Sequence, residues 1–476
     1  MATLVGLDVG TTAVKALAVS DDGEVISRCE VEYPLSTPRP GWSEQDPEDW
    51  WRATERALAA LDVPEPAGIG LSGQMHGLVA LDAQDRVIRP AILWNDQRTA
   101  AECAEIEERV GFDRLVELTG NRALTGFTAP KLLWLRRHEP EHYARIAHVL
   151  LPKDYVRLRL CGERAIDVAD ASGTLLFDVA RRRWSDEVVA ALELDPAWLP
   201  PALESPDVSG RTPDGVAVAA GAGDQAAGAI GVGVVRAPPT HPLSIALGTS
   251  GVVFTALDAY AHDPQARVHA FCHAVPGAWH AMGVMLSAAG SLRWLRDTAA
   301  PGAEFGDLVK EAAAWEPGAE GLTFLPYLAG ERTPHADPNA RGAFTGLSLR
   351  HDRGALVRAV LEGVACGLRD SLDLVIALGA EPVSGRVSGG GARSELWLRI
   401  IASVLELPLE RLAVEEGAAY GAALLGGVAG GVFEDAEEAV AACVRPHGAV
   451  EPVPEWIEPY RELRERYRAL YPALHT

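Results

Sequence analysis

Cysteine is scarce: six occur in 476 residues, at positions 29, 103, 161, 272, 366 and 443, with no CxxC pair. That distribution suits neither a disulfide scaffold nor a paired-thiol site, and it fits reduced thiols in a cytoplasmic protein. Positive charge is also short. With 43 Lys and Arg against 66 Asp and Glu, the net charge of −23 repels phosphate polymers and anionic lipid. No nucleic-acid or membrane partner is expected. The strongest apolar stretch, Val216 to Val235, contains Asp224 and Gln225 and is broken by glycines, so it does not read as a membrane span. Met1-Ala2-Thr3 runs directly into an apolar segment, and no leader peptide is expected there. The chain has no GxxxxGK(S/T) and no HRD or DFG element, which argues against a P-loop enzyme and a protein kinase.

What is present is a repeat. Asp8 ends the strand Leu4-Val5-Gly6-Leu7, Gly10-Thr11-Thr12 follows, and the chain turns back through Val14 to Val19. A near-copy recurs as Ile245-Ala246-Leu247-Gly248-Thr249-Ser250-Gly251-Val252-Val253-Phe254. Gly10 and Gly248 are 238 residues apart, half of the 476-residue chain. Two strand–Gly-Thr-hydroxyl–strand hairpins at that spacing predict two similar halves, each offering backbone N–H groups and hydroxyls to a polyphosphate. Only the first copy carries an acid on its leading strand, so both hold phosphates and one holds the metal. The chain is also too long for one core, and two domains of about 240 residues are expected.

Asp21-Asp22-Gly23 reads as a tight turn into a third strand from Glu24. A helix then starts at Pro47 with Asp46 as its cap and Glu48 and Asp49 in its first turn. Strands are predicted at Ile69-Gly70-Leu71 and Val87 to Leu93, and a helix from Arg98 to Val110. Three meandering strands followed by helix, strand and helix is the order of an actin-like (ribonuclease H-like) ATPase half; a Rossmann domain would open strand–helix. The expected fold class is therefore α/β, two actin-like domains with an interdomain cleft, spanning 1–237 and 243–476. Residues 115–205 read as a helical insertion. Pro238-Pro239-Thr240-His241-Pro242 reads as the linker about which the halves close to exclude water. Trp456, Tyr460, Leu463, Tyr467 and Leu470 form one helical stripe expected to pack back onto the protein.

Several strand ends carry chemistry. The Asp8 hairpin supplies a carboxylate for hydrated Mg2+ and donors for phosphate oxygens. Gly221-Ala222-Gly223-Asp224-Gln225 ends an apolar strand and opens a small-residue helix; an acid at such a tip accepts a proton from an attacking hydroxyl. Alone, Asp224 reads more readily as a cap in a Gly-rich turn. A second acid complementary to Asp8 is what phosphoryl transfer requires, and that decides for function. Gly389-Gly390-Gly391-Ala392-Arg393-Ser394 lies between the strand Arg386-Val387-Ser388 and a helix from Glu395, where bare backbone admits a flat base or ribose. The small residues of Gly417 to Ala423 would let a helix pack close against that region. Gln74-Met75-His76-Gly77 and Trp94-Asn95-Asp96-Gln97-Arg98 suit a polyol, with polar groups for hydroxyls and an aromatic wall for C–H faces. His269, Cys272, His273 and His280 match no common zinc spacing and read as a strand pair. Arg181-Arg182-Arg183 reads as a solvated turn.

Asp8-to-Thr12, Trp42-Ser43-Glu44-Gln45-Asp46-Pro47, Gln74-Met75-His76-Gly77, Leu93-Trp94-Asn95-Asp96, Gly223-Asp224-Gln225, Gly330-Glu331-Arg332-Thr333-Pro334-His335 and Gly389-to-Ser394 resemble the FGGY carbohydrate kinases. The likeness runs through essentially the whole chain, including Leu151-Pro152-Lys153-Asp154-Tyr155 and Phe271-Cys272-His273-Ala274. The resemblance implies ATP-dependent phosphorylation of a ketopentose, D-xylulose at its C5 hydroxyl, with ATP and Mg2+ as cofactors. It makes Asp224 the proton acceptor and Asp8 the metal-associated acid, with Mg2+ near both. Met75, His76, Trp94, Asp224 and Gln225 are expected on the sugar. Thr11, Thr12, Lys15, Gly248 and Thr249 are expected on the phosphate side, and Gly389, Gly390, Gly391 and Ala392 by the adenosine. A homodimer is a family-based expectation. Ribulose, gluconate and glycerol are the alternative acceptors, and an actin-like ATPase without a sugar is the alternative class.

Overall fold

A computed structural model describes residues 2–236, 241–414 and 416–474; Pro238, Pro239 and Thr240 of the expected linker lie outside the described residues. Strands β1 (Thr3–Val9), β2 (Ala13–Ser20) and β3 (Val25–Glu32) form an antiparallel meander. β1 and β2 are buried almost throughout, whereas β3 alternates between half-buried and exposed positions, as an edge strand does. Helix α1 (Pro47–Leu61) begins where its cap requires: the Asp46 carboxylate accepts from Glu48 N, and Trp50, Ala53, Ala57 and Leu61 are buried. β4 (Gly68–Gly73) pairs parallel with β1 from Leu4↔Gly68 to Val9↔Gly73.

Three local expectations change. The strand predicted over 87–93 is reduced to Ala91–Ile92, because Pro90 has no N–H to donate to a ladder. The helix predicted from Arg98 starts at Ala100; the Asp96 carboxylate binds Arg98 N at 2.9 Å and the Arg98 guanidinium, holding that stretch as a turn. The insertion is helical as expected and includes α2 (Thr128–His138), α3 (Pro152–Cys161) and α4 (Val168–Ser172). Arg182, within the expected solvated turn, is instead largely buried, paired with Glu204 at 2.5 Å and bonded to Ala278 O at 2.6 Å. The half ends with β5 (Val208–Arg211), β6 (Ala217–Ala219), β7 (Ala222–Gly223) and α5 (Asp224–Gly231).

The second half has β8 (His241–Leu247), β9 (Gly251–Leu257), β10 (His269–Cys272) and β11 (Trp279–Met285). There follow α6 (Arg353–Ala377), β12 (Pro382–Ser388), α7 (Glu395–Leu405), β13 (Leu409–Leu412), α8 (Gly417–Ala429), β14 (Pro446–Val450) and α9 (Pro454–Leu474). The sheets repeat one order, β3-β2-β1-β4-β6-β5 and β11-β9-β8-β12-β13-β14, with β7 also on β4 and β10 on β11. In each, the first three strands are antiparallel, the next two run parallel, and the edge reverses. Register matches as well: Asp8 pairs with Ser72 in one half, and Ala246 pairs with Ser388 in the other.

The stripe on α9 packs back as expected, with Tyr460, Leu463 and Tyr467 buried. α8 is also a packing helix, and its close approaches are to β1, β4 and α5 of the first half. A Cβ on Gly70 would lie 1.8 Å from Ala422 O, and one on Gly421 would lie 1.8 Å from Ala227 O. Only bare backbone permits that approach. We expect G70A to lower stability by about 1–3 kcal/mol, since a backbone oxygen cannot move aside. G306A, on a helix with open space around it, should be neutral or mildly stabilising. Denaturant midpoints of the two variants test this; equal stability would contradict the close packing.

Candidate active site

The carboxylates expected to do the chemistry meet across one strand end. β1 lies on one side of β4 with Asp8 opposite Ser72, and β7 lies on the other with Ala222 and Gly223 opposite Ser72 and Gly73. All three strands run parallel, so Asp8 and Asp224 emerge at the same carboxyl edge, where ligands of α/β sheets bind. Two strand spacings set their backbones about 10 Å apart. Burial, with the Asp8 charge adding to it, pushes Asp224 up to about 7, while Gln225, whose Nε2 lies 3.3 Å from Oδ1, pulls the other way. Asp224 also opens α5, whose dipole favours the ionised form by about 0.3–1 kcal/mol, and burial outweighs it. Burial likewise raises Asp8, opposed by Ser72 and by Lys15. Asp8 Oδ1 is buried with no hydrogen-bonding partner among the described residues.

The first turn is tied down from behind. Gln74 Nε2 donates to Gly10 O at 3.2 Å, and Gln45 Nε2 donates to Thr11 O at 2.6 Å. Gln45 Oε1 in turn accepts from Gln74 and from Trp50 Nε1, each at 3.0 Å. The carbonyls are thereby occupied on the protein side, and Thr12 stays exposed. Trp94, 42% exposed, donates its Nε1 to Thr11 Oγ1 at 3.0 Å, so the structure brings it to the Gly10-Thr11-Thr12 turn. Asp96 of the same motif is structural, as above. Lys15 is exposed on β2, between Asp8 on β1 and Glu30 on β3.

In the second turn, Gly248 and Thr249 are exposed; Gly248 O accepts from Ala289 N at 2.9 Å, and Thr249 O from Ala288 N at 2.8 Å. Gly389, with φ of 86°, comes so near β8 that a Cβ would lie 2.8 Å from Leu247 O, while Gly390 has open space. Gly389 and Ala392 line a cavity of about 300 Å³ that also reaches Val232, the residue ending α5. Arg386 fixes that end, donating to Val232 O at 2.8 Å and Gly233 O at 2.9 Å. One eight-residue helix, about 12 Å long, thus links Asp224 to the cavity at residues 389–392.

Met75 is buried against Gly173 and Gly223, where a Cβ would approach its side chain to 3.0 and 2.7 Å. His76 follows in a left-handed conformation, φ 68°, which a non-glycine residue holds only under local constraint. Its Nδ1 lies 2.6 Å from Gly173 O, so Nδ1 carries the proton and Nε2 accepts. Its ring lies 4.5 Å from Phe127. Burial pushes its pKa down to about 3, opposed by Gly173 O and assisted by the charges of Lys131 and Arg332. Lys131 Nζ donates to His76 O at 2.8 Å and Gly126 O at 2.6 Å.

Sequence reading missed the support behind these residues. Lys153 Nζ, fully buried, lies 2.7, 2.6 and 2.9 Å from Asp154, Asp167 and Asp170. Its Cβ would stand 3.1 Å from a Cβ on Gly73, directly behind the carboxylate edge. The three carboxylates are close enough for a metal ion, but the ammonium already lies among them. A usable signal existed: the chain has only four lysines, and two of them, Lys131 and Lys153, are wholly buried here. Of the histidines weighed for zinc, His269 Nδ1 bonds Asn121 Oδ1 at 2.5 Å and His273 Nδ1 accepts from Val275 N at 3.0 Å. Among the described residues no helix is long and apolar enough to cross a membrane.

Residues 3–231 match the N-terminal domain, and residues 243–430 the C-terminal domain, of the FGGY family of carbohydrate kinases. The chain belongs to that family. It is 46% identical over 439 residues to the xylulose kinase of Escherichia coli K12, covering 89% of this chain and 90% of that one. The crystal structure of xylulose kinase from Rhodospirillum rubrum superimposes with a TM-score of 0.93 at 34% identity, over 99% of each chain. Gluconate kinase from Lactobacillus acidophilus gives 0.93 at 26% identity, over 99% of this chain and 98% of that one. The fold is thus the two-domain sugar-kinase form of the actin-like ATPases.

The raised Asp224 has a thermodynamic signature. Above pH 7 the folded chain holds a charge it disfavours, between about 4 and 7 that penalty fades, and below about 4 the group is neutral in both states. D224N should therefore be more stable than wild type at pH 8 by about 1–3 kcal/mol, with the gap closing toward pH 4. Urea unfolding across that range checks it; a pH-independent difference would contradict the shift.

Proposed function

We propose that this protein transfers the terminal phosphoryl group of ATP to the C5 hydroxyl of D-xylulose, giving D-xylulose 5-phosphate. The observation that carries the reading is the placement of Asp224. It shares a strand end with Asp8, neighbours Met75 through Gly223, and begins the helix whose far end borders the 389–392 cavity. In this reading residues 1–237 carry the sugar site and catalytic acid, and residues 243–476 carry most of the nucleotide site. Met75, His76 and Gln225 contact the sugar; Trp94 reaches it from above Thr11. Thr11, Thr12, Lys15, Gly248 and Thr249 border the phosphates, and Gly389, Gly390, Gly391 and Ala392 border the adenosine.

Asp224 orients the C5 hydroxyl and takes its proton. A carboxyl group near 7 is poised for that task, because it is ionised at working pH yet basic enough to drive the transfer. Little covalent work is asked of the protein in such a reaction; positioning and charge stabilisation carry the barrier. The unpartnered Oδ1 of Asp8 and the neighbouring Asp224 carboxylate are hard oxygen donors that suit Mg2+, and these two residues would hold it. When bound, the ion neutralises phosphate charge. The enzyme works in the cytoplasm in this reading, as a homodimer.

D224A should lower kcat by about 10²–10⁴ while retaining nucleotide affinity. ADP release measured with D-xylulose, ribulose, gluconate and glycerol, with the product position assigned by phosphorus NMR, tests both parts. D-Xylulose should give the highest kcat/KM. Near-normal turnover by D224A would contradict the role of Asp224, and a higher kcat/KM with gluconate would reassign the acceptor.

A further inference from the structure

Near His76 lie polar groups whose hydrogen-bonding sense is set in series. Asn121 Nδ2 donates to Thr119 O at 2.8 Å and Ala270 O at 3.2 Å, which turns its Oδ1 toward His269 Nδ1 at 2.5 Å. An amide oxygen only accepts, so Nδ1 of His269 carries the proton and Nε2 is an acceptor. Arg332 Nη1 faces that Nε2 in a long hydrogen bond of 3.5 Å. Burial keeps His269 well below its usual value, and the Arg332 charge adds to the effect.

Arg332 is delivered to this place by clamps on both sides. Glu331 Oε1 accepts from Arg332 N at 2.8 Å and from Leu286 N at 2.9 Å. Thr333 Oγ1 donates to Arg267 O at 2.8 Å and accepts from Val284 N at 3.0 Å. The residue is thus fixed against the end of β11, in the second half of the chain. Among the described residues no carboxylate forms an ion pair with its guanidinium, and His269 is its side-chain partner. A largely buried guanidinium has donors and no acceptors, so its remaining N–H groups call for acceptor atoms from a ligand.

The first half supplies the complement. Nδ1 of His76 is committed to Gly173 O, which leaves Nε2 as an acceptor. The His76 and His269 rings lie 4.5 and 6.0 Å from the same Phe127 ring, and the Arg332 charge acts on both histidines, so acceptor and guanidinium are gathered around one aromatic ring. An α-hydroxyketone presents matching groups side by side: a carbonyl oxygen that only accepts and a hydroxyl that can donate.

We propose that Arg332 donates to the carbonyl oxygen of the sugar while His76 Nε2 accepts from the hydroxyl on the adjacent carbon. The pocket thereby selects the ketose over the corresponding polyol, whose additional O–H would meet a guanidinium offering no acceptor. His269 is a positioning residue that holds Arg332. The inference rests on the ketopentose reading above and names the residue that enforces it from the opposite half.

Steady-state kinetics of wild type, R332M, R332K and H269F with D-xylulose and with the pentitol lacking its carbonyl test this. R332M should raise KM for the ketose about tenfold or more with kcat changed less than about threefold. R332K should recover part of that loss, H269F should show a smaller rise, and the ketose-over-pentitol preference should collapse in R332M. Nucleotide affinity measured by calorimetry reports whether each variant is folded; should R332M fail it, R332K and H269F are held to the same criterion. An unchanged ketose KM, or an equal loss with the pentitol, overturns the proposal. So does a fall in kcat at constant KM, which would place Arg332 on the transferred phosphoryl group. A wild type inactive on every ketopentose would overturn the functional reading itself, whereas an active wild type with an indifferent R332M overturns only this inference.

Discussion

Parallel pairing on both sides of β4 is the constraint from which the site follows. It brings Asp8 and Asp224, far apart in sequence, to one carboxyl edge. Burial raises both acids, and the Asp8 charge adds to the shift that brings Asp224 to about 7. Support behind the edge is electrostatic: Lys153 and its three carboxylates fill the space next to Gly73. α4, which supplies Asp170 to that cluster, leads into Gly173, and Gly173 O fixes the His76 tautomer. The buried charge and His76 are therefore mechanically joined.

Duplication explains how one device serves two purposes. Ser72-Gly73 at the end of β4 corresponds in register to Ser388-Gly389 at the end of β12. Where the first copy has Asp8, the second has Ala246, and the neighbouring strand end opens into a glycine run without carboxylates. The first copy keeps the acids; the second keeps bare backbone, which the proposed function gives to the nucleotide. α5 connects the two ends, and the small-residue seam of α8 against β1, β4 and α5 ties residues 417–429 to the first half.

Much of this was legible because it is local. Hairpin glycines, the Asp46-Pro47 helix start and the Ser394 start of α7 are decided by a few adjacent residues. Pro90 is an equally local signal: it has no N–H for a ladder, and the strand is confined to Ala91–Ile92. What sequence could not supply was partnership over distance. The small residues of α8 announced close packing but not the sheet it would meet. Arg182 looked solvated because Glu204 is a distant partner. Arg332 stood in a family motif, yet the contacts that hold its guanidinium come through Asn121 and His269, which join it only in three dimensions.

Carbon-13 NMR of labelled aspartate carboxyls, titrated in wild type and in D8N, tests the shared strand end most directly. The account predicts that Asp224 titrates near 7 in wild type and at a distinctly lower value once the Asp8 charge is removed. An Asp224 that titrates in the ordinary carboxylate range, indifferent to D8N, would contradict it.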